Sequence, residues 1–158
     1  AGYKFGSSIF PCARGHGGIL YDKYHPPSIR PQRSRIFEFP ISTALVCGKR
    51  VCFSGGGYFR FFPYAWIAAQ IRAFNRQGFP VLIYIHPRDI DENQPRLAMN
   101  WKRRFKSYYG LRWTHSKLRR VLRDFEFTSI GEFIKEESHQ SFFAHEHEQP
   151  FSPYQNAI

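Results

Sequence analysis

The chain has 158 residues, enough for one domain with a hydrophobic core, and its 42% hydrophobic and 22% charged residues are typical of a globular protein. Its apolar runs stay below the roughly 18 residues that a transmembrane helix needs. Its three cysteines, with no CxxC motif, exclude a disulfide scaffold. The formal net charge of +11 favours an anionic partner: nucleic acid, an acidic glycan or an anionic membrane surface.

The first third of the chain is predicted to hold short strands and a long loop. A strand over 3–11 precedes an irregular loop over 12–35, which is rich in Gly, Pro and basic residues. Further strands follow: 35–43, 44–48 and 49–55. The last two form a hairpin whose turn we place at Gly48-Lys49. That register sets Cys47 and Cys52 as diagonal neighbours at roughly 7 Å, too far apart for a disulfide, so all three cysteines are predicted to be free thiols.

A helix is predicted after the glycine run at 55–57, which breaks the strand pattern. Pro63 suits its first turn and Gly78 its C′ position. Apolar residues keep helical spacing within it: Ile67, Ile71 and Phe74. The apolar stretch 80–86 then reads as a strand buried on both faces, as in a parallel sheet or barrel.

The last part of the chain is predicted to be mainly helical, over 96–110 and 114–125. In the second helix, four apolar residues lie on one face: Leu118, Val121, Leu122 and Phe125. Residues 125–134 are expected to add a short strand and a last turn. We place the domain at 1–137 and a polar, flexible tail at 138–158. The strand–helix–strand order predicts an α/β fold.

His86 ends the strand over 80–86, and ligand-binding residues of α/β proteins gather at the carboxyl ends of strands. An imidazole there can transfer a proton near neutral pH. The alternative is that His86 merely stands where the strand stops, since Pro87 ends the strand under either interpretation. Asp89 and Asp91 follow on the next loop and either orient His86 or serve a turn.

Three other stretches have both a functional and a purely structural interpretation. In SGGGYFR, the glycines let a backbone approach a ligand while Tyr58 and Arg60 contact it, or they only make a flexible turn. The basic, aromatic stretch over 101–120 suits phosphate contacts and stacking, or forms the solvated face of two helices. Three histidines near the chain end suit a weak metal site or a solvated tail: His139, His145 and His147.

Six stretches of the chain match one family when they are taken together and in order. They are GYKFGSSIFP, FEFPIST, SGGGYFRFFPY, YIHPRDIDENQPR, RRFKSYYGL and KLRRVLRDFEF. In that order, over about residues 2–130, they resemble the C-terminal part of bacterial polysaccharide deacetylases with a NodB-homology domain. The resemblance is to the subfamily linked to exosortase and exopolysaccharide loci, which carries a C-terminal extension of unknown function. The ordered set carries this resemblance, rather than any single motif.

The resemblance implies the C-terminal part of a deformed (β/α) barrel followed by a helical extension. The family's chemistry is hydrolysis of N-acetyl groups on a glycan, in which a divalent ion, usually zinc, activates the attacking water. YIHP resembles the motif of the histidine that protonates the leaving amine, so His86 takes the general-acid role. Ser7 and Ser8 would lie near the same rim, with Tyr58 and Arg60 contacting the glycan.

The sequence departs from the family pattern in several places. Gly6 stands where the family has an aspartate before two serines, and Arg88 and Asp89 replace an aromatic residue and a glutamate. A DDG-like motif and a histidine pair, which the family uses to hold its metal, have no counterpart, since His16 and His25 are nine apart in a loop. We therefore expect a fragment that binds no metal and is inactive alone.

The expected function is thus deacetylation of an N-acetylated polysaccharide by a longer protein that carries zinc. The alternatives are a non-catalytic, basic glycan-binding module and a nucleic-acid-binding domain, although nucleic acid is not the expected partner. Free thiols and the lack of a signal peptide favour the cytoplasm. Because the chain begins with Ala1 and reads as an internal piece, the cell envelope stays open.

Overall fold

The computed structural model describes residues 5–12 and 37–139. Its strands are β1 (Phe5–Gly6), β2 (Phe37–Glu38), β3 (Thr43–Val46) and β4 (Lys49–Cys52). Its helices are α1 (Gly56–Phe61), α2 (Tyr64–Asn75), α3 (Pro87–Ile90), α4 (Trp101–Tyr108), α5 (Leu111–Asp124) and α6 (Ile130–His139). The two small sheets among these helices confirm the predicted α/β class.

Several predictions fall outside the described residues. These are the loop over 13–36 with His16 and His25, and residues 140–158 of the predicted tail with His145 and His147. The backbone of α6 continues to His139, two residues beyond the boundary that we placed at 137. Within the described part of the chain, no helix is both long and apolar enough to cross a membrane.

The N-terminal segment lies beside the strand that follows the loop. Strand β1 pairs in parallel with β2, with Phe5 opposite Phe37. The pairing continues past the strands, since Phe39 donates its backbone N–H to the Gly6 carbonyl at 2.8 Å and Ile41 to the Ile9 carbonyl at 3.0 Å. Residues 5–9 are therefore held against 37–41 by backbone hydrogen bonds.

The β3–β4 hairpin confirms that these two strands pair and corrects the predicted position of the turn between them. The strands pair antiparallel with Val46 opposite Lys49, so the two-residue turn is Cys47-Gly48 and not Gly48-Lys49. Cys47 has a φ of 48° and Gly48 a φ of 74°. A type I′ turn needs positive φ at both central residues, and that requirement decides the register.

The core lies where the hairpin meets α2 and α5. Its buried members are Ala44, Phe53, Phe59, Ile67, Ile71 and Val121. The helical spacing in α2 is confirmed, since Ile67 and Ile71 are buried and Phe74 packs against them. In α5, Val121 is fully buried while Leu122 is 55% exposed, so the apolar face is narrower than predicted.

The single helix predicted after the glycine run is two helices. Helix α1 begins at Gly56, inside the run, and α2 begins at Tyr64. Phe62 between them has extended backbone angles, φ −76° and ψ 144°, because a residue before proline is disfavoured in the helical region. Gly78, at φ 78°, donates to the Asn75 carbonyl at 3.0 Å and closes the end of α2 as predicted.

The segment before His86 differs from the predicted buried strand. Residues 81–85 are extended but only half-buried, with one parallel bridge between Tyr84 and Gly55. The Tyr84 N–H donates to the Ser54 carbonyl, and the Tyr84 carbonyl accepts from Gly56, both at 3.2 Å. Leu82 also donates its N–H to Ser42 Oγ at 3.1 Å, so single contacts fix this segment and, among the described residues, it forms no longer strand ladder.

The end of the domain is a helix rather than the predicted strand and turn. Helix α6 starts after Ser129, whose hydroxyl accepts from the Glu132 N–H at 3.2 Å while the Glu132 carboxylate accepts from the Ser129 N–H at 3.2 Å. This reciprocal pair is a capping box of the Ser-x-x-Glu type, which satisfies backbone donors that the first helical turn leaves free.

Candidate functional site

His86 stands at the N-cap of the short helix α3. Its backbone is extended, with φ −96° and ψ 155°, and Pro87 opens the helix. The His86 N–H donates to Asp89 Oδ2 at 3.2 Å, and the Asp89 N–H donates to the His86 carbonyl at 2.8 Å. The sequence His-Pro-x-Asp therefore folds locally into a helix start that brings the aspartate back to the histidine.

The His86 imidazole is mostly exposed and has Asp89 and Tyr84 as neighbours. Its side chain is 63% exposed, and Nδ1 lies 3.4 Å from Asp89 Oδ2. The Tyr84 ring meets the imidazole edge-to-face, with ring centroids 5.8 Å apart. A carboxylate facing Nδ1 leaves the other ring nitrogen for exchange of a proton with a ligand.

Asp89 is held by a buried arginine. Both side chains are 4% exposed, and Arg60 Nε lies 3.2 Å from Asp89 Oδ1 as an ion pair outside hydrogen-bond angles. Burial lowers the pKa of Arg60, and the charge of Asp89 opposes that shift. A buried carboxylate needs such a partner, because an unpaired charge in the interior is costly.

The other nitrogens of the Arg60 guanidinium donate hydrogen bonds to backbone carbonyls. Its Nη1 donates to the carbonyls of Ser107 at 2.7 Å and Tyr109 at 3.3 Å, and its Nη2 to that of Lys106 at 3.1 Å. The guanidinium thus joins Asp89 to the last turn of α4. Arg60 acts on the site by positioning Asp89, and its burial leaves little surface for the glycan contact that the sequence suggested.

The glycine run lets α1 approach the strand that carries His86. A Cβ on Gly55 would lie 2.1 Å from the Tyr84 ring, and Gly56 has a φ of 51°. A Cβ on Gly56 would lie 3.8 Å from Asp89 Oδ2. These glycines therefore meet the side chains of the site itself, and any L side chain at Gly55 would displace Tyr84.

The remaining predicted residues lie around this centre. Tyr58 is half-buried on α1, two residues before Arg60, and Ser7 and Ser8 are exposed after β1. Phe10 packs edge-to-face on Tyr84, with ring centroids 6.1 Å apart. The segment with the two serines and His86 therefore share Tyr84 as a neighbour. The roles of these serines and of Tyr58 in substrate binding stay predictions.

Asp89 has both of the placements that the sequence left open, since it caps the start of α3 and its carboxylate faces the His86 imidazole. The signal was present in the spacing, because an acidic residue three after a histidine N-cap, with proline at the first helical position, favours a capping interaction. Within residues 5–12 and 37–139, no three His, Cys, Asp or Glu side chains form a group that could hold a metal ion.

Comparison with known proteins gives one match. No curated protein and no solved structure is similar to the chain at a significant level. The sequence profile of one family, described as a domain of unknown function (DUF3473), matches residues 7–135. The match includes the strand before His86, α3 and the arginine on α1. Since it spans most of the chain, the protein belongs to the DUF3473 family.

Proposed function

We propose that this chain supplies the general acid of a polysaccharide deacetylase, and that His86 is that acid. The ordered resemblance to the C-terminal part of NodB-homology deacetylases suggests the reaction. The observation that carries the assignment is the exposed His86 imidazole, whose Nδ1 faces a buried carboxylate at 3.4 Å, while a buried guanidinium lies 3.2 Å from the other oxygen of that carboxylate.

In this proposal the protonated imidazole donates its proton to the amine nitrogen as the C–N bond of the acetamide breaks. The oxygen of the attacking water is by then bonded to the acetamide carbon, and its two protons go to the base of the longer protein and to solvent. The sugar amine leaves neutral with the proton from His86, acetate is released with the oxygen of the water, and His86 is left neutral. Asp89 keeps Nδ1 on the protein side, so that the free nitrogen faces the leaving group. Asp89 then provides a carboxylate near His86 in a chain that has Gly6 where the family has an aspartate.

The family chemistry requires a divalent metal, and the described residues offer no ligand set for it. We propose instead that the metal site lies in other residues of a longer protein, which also complete the barrel. Residues 1–158 alone are then expected to have no deacetylase activity.

The test is His86→Gln in a full-length protein that contains this chain, assayed on an N-acetylated oligosaccharide. Loss of the general acid should lower kcat by on the order of 10²–10⁴ while bound zinc stays the same. His115→Gln, at an exposed histidine on α5, is the matched control and should keep the wild-type rate. An unchanged kcat in His86→Gln would remove the assignment.

Asp89→Asn tests the positioning role separately. The amide keeps the size of the side chain but no longer carries a charge opposite Arg60 and His86. We expect a kcat loss smaller than that of His86→Gln with KM unchanged, because the imidazole would remain but would lose the carboxylate that faces Nδ1. An unchanged kcat would show that Asp89 does not position the imidazole.

A further inference from the structure

An exposed row of aromatic rings crosses the junction between α4 and α5. We call this row the aromatic ridge, and its members are Phe61, Trp101, Phe105, Tyr109 and Trp113. Each is between 40% and 73% exposed, with Trp101 the most exposed. Contiguous exposed apolar patches of this kind mark sites of interaction with a partner or a membrane.

The ridge is continuous. Trp101, Phe105 and Tyr109 are spaced four residues apart, so they occupy successive turns on one side of α4 and its C-cap. The ring centroids of Phe105 and Tyr109 are 4.7 Å apart, those of Tyr109 and Trp113 6.4 Å, and those of Tyr109 and Phe61 5.7 Å. Tyr109 therefore joins the rings of both helices and of α1.

The ridge does not contribute to the core. Helix α4 has no buried residue. Its last turn is fixed instead by the Arg60 guanidinium, which donates to the carbonyls of Lys106, Ser107 and Tyr109. The rings are thus presented to solvent on a backbone that is already held in place, which lowers the ordering cost of binding.

The surroundings of the ridge are mainly basic, with Glu92 in the groove that Tyr109 and Trp113 line. Four of the eight residues of α4 are exposed and positively charged: Lys102, Arg103, Arg104 and Lys106. The sequence has no Asp or Glu from Asn93 to Arg123. An apolar row inside a positive surface complements a partner that is both anionic and apolar.

The arrangement of the rings distinguishes between anionic partners. Lys102 Nζ lies 5.7 Å from the Trp101 ring centroid, and Arg112 Cζ lies 4.6 Å from that of Trp113. Phe105 and Tyr109 turn toward each other, with ring planes 35° apart. Cations or neighbouring rings cover one face of each of these four side chains, so a nucleobase could stack only on the remaining face of each ring.

Binding to a bilayer surface does not require open ring faces. Trp and Tyr rings reside at the headgroup level in varied orientations, and Lys and Arg beside them contact anionic headgroups. We propose that the aromatic ridge docks peripherally onto an anionic lipid bilayer, with Trp101 and Phe105 entering the headgroup layer and the cations of α4 contacting lipid phosphates. This inference is independent of the deacetylase proposal.

The test is co-sedimentation of the full-length protein that contains this chain with vesicles of equal parts phosphatidylglycerol and phosphatidylcholine, and with phosphatidylcholine alone. We expect binding to the anionic vesicles only, weakened by added salt. Trp101→Ala should lower the partition coefficient by about tenfold, the order expected for the lost burial of a large ring. Because Trp101 is 73% exposed, its loss should leave the melting temperature unchanged.

Phe127→Ala is the matched control, since Phe127 is 49% exposed, lies outside the ridge and follows Glu126. It should bind vesicles as the wild type does. Binding to single-stranded DNA or an acidic polysaccharide without binding to anionic vesicles would overturn the proposal. Equal binding to both vesicle types would also overturn it. So would a protein that does not bind vesicles but forms a dimer that Trp101→Ala dissociates.

Discussion

Lys117 shows how one buried charge closes the end of a helix. Its Nζ donates to three carbonyls, those of Phe59 at 2.8 Å, Arg60 at 3.0 Å and Phe62 at 2.6 Å. The carbonyl of Phe59 would ordinarily accept from the residue four positions on, which is Pro63 and has no N–H. The ammonium group of α5 therefore replaces the donors that α1 lacks at its C-terminus.

We expect Lys117→Met to lower the free energy of unfolding by about 2 kcal/mol at neutral pH, since carbonyls near the core would lose a charged donor. Chemical denaturation measures this change directly. Lys135→Met, at an exposed lysine of α6, should leave the stability unchanged. Equal stabilities of Lys117→Met and the wild type would show that the three carbonyls find other donors.

The same lysine predicts a pH dependence. Burial lowers the pKa of Lys117 to about 8, from 10.5 in a model peptide. Between these values the unfolded chain binds more protons than the folded one, so the free energy of unfolding contributed by Lys117 rises with pH over this window. The stability difference between wild type and Lys117→Met should therefore grow from about pH 8 upward, and a flat difference would contradict the shifted pKa.

At the scale of one element, the turn between β3 and β4 lacks the residue pair that a type I′ turn prefers. Cys47 is exposed and adopts a φ of 48°, where an L residue other than Asn, Asp or Gly is strained. Cys47→Asn should raise the free energy of unfolding by about 0.5–1 kcal/mol, because Asn-Gly is the preferred pair for a type I′ turn. Thermal unfolding under reducing conditions measures the change.

Cys47→Val is the opposing variant, since a β-branched side chain tolerates positive φ poorly. It should lower the free energy of unfolding by about 1 kcal/mol. If both variants shifted stability in the same direction, the turn would not have the positive-φ geometry at residue 47.

The elements differ in how far the sequence could predict them. Helix α5 follows from its apolar period alone, because Leu118, Val121 and Phe125 need one face on the core. The partial exposure of residues 81–85 could not be predicted from their apolar run, since burial depends on which elements cover the two faces of the segment. The role of Asp89 depends on Arg60, 29 residues earlier in the chain, and no local pattern contains that pairing.

At the scale of the whole molecule, the Arg60–Asp89 pair joins the candidate site to the rest of the fold. Helices α1, α3 and α5 contact one another around it, and Gly110 at the start of α5 packs on the Arg60 carbonyl. A Cβ on Gly110 would lie 2.7 Å from that carbonyl oxygen. His86 and the aromatic ridge are therefore fixed relative to each other by one guanidinium and the backbone around it.

A double-mutant cycle measures this connection. Arg60→Met alone should lower the free energy of unfolding by about 3–5 kcal/mol, because it leaves the Asp89 carboxylate buried without its partner. Asp89→Leu alone should cost a similar amount, since the guanidinium is then uncompensated. The double variant should be more stable than the sum of the two losses predicts, because it buries neither charge alone.

The control is an exposed ion pair that joins the same two types of atom, an arginine Nε and an aspartate Oδ1. Arg123 Nε lies 2.7 Å from Asp124 Oδ1, and the Arg123 side chain is 70% exposed. Solvent screens such a pair, so Arg123→Met should produce no measurable change in stability. Strictly additive losses at Arg60 and Asp89 would mean that the two charges act separately. His86 would then be held by its aspartate alone, and the ridge by an arginine that has no part in the site.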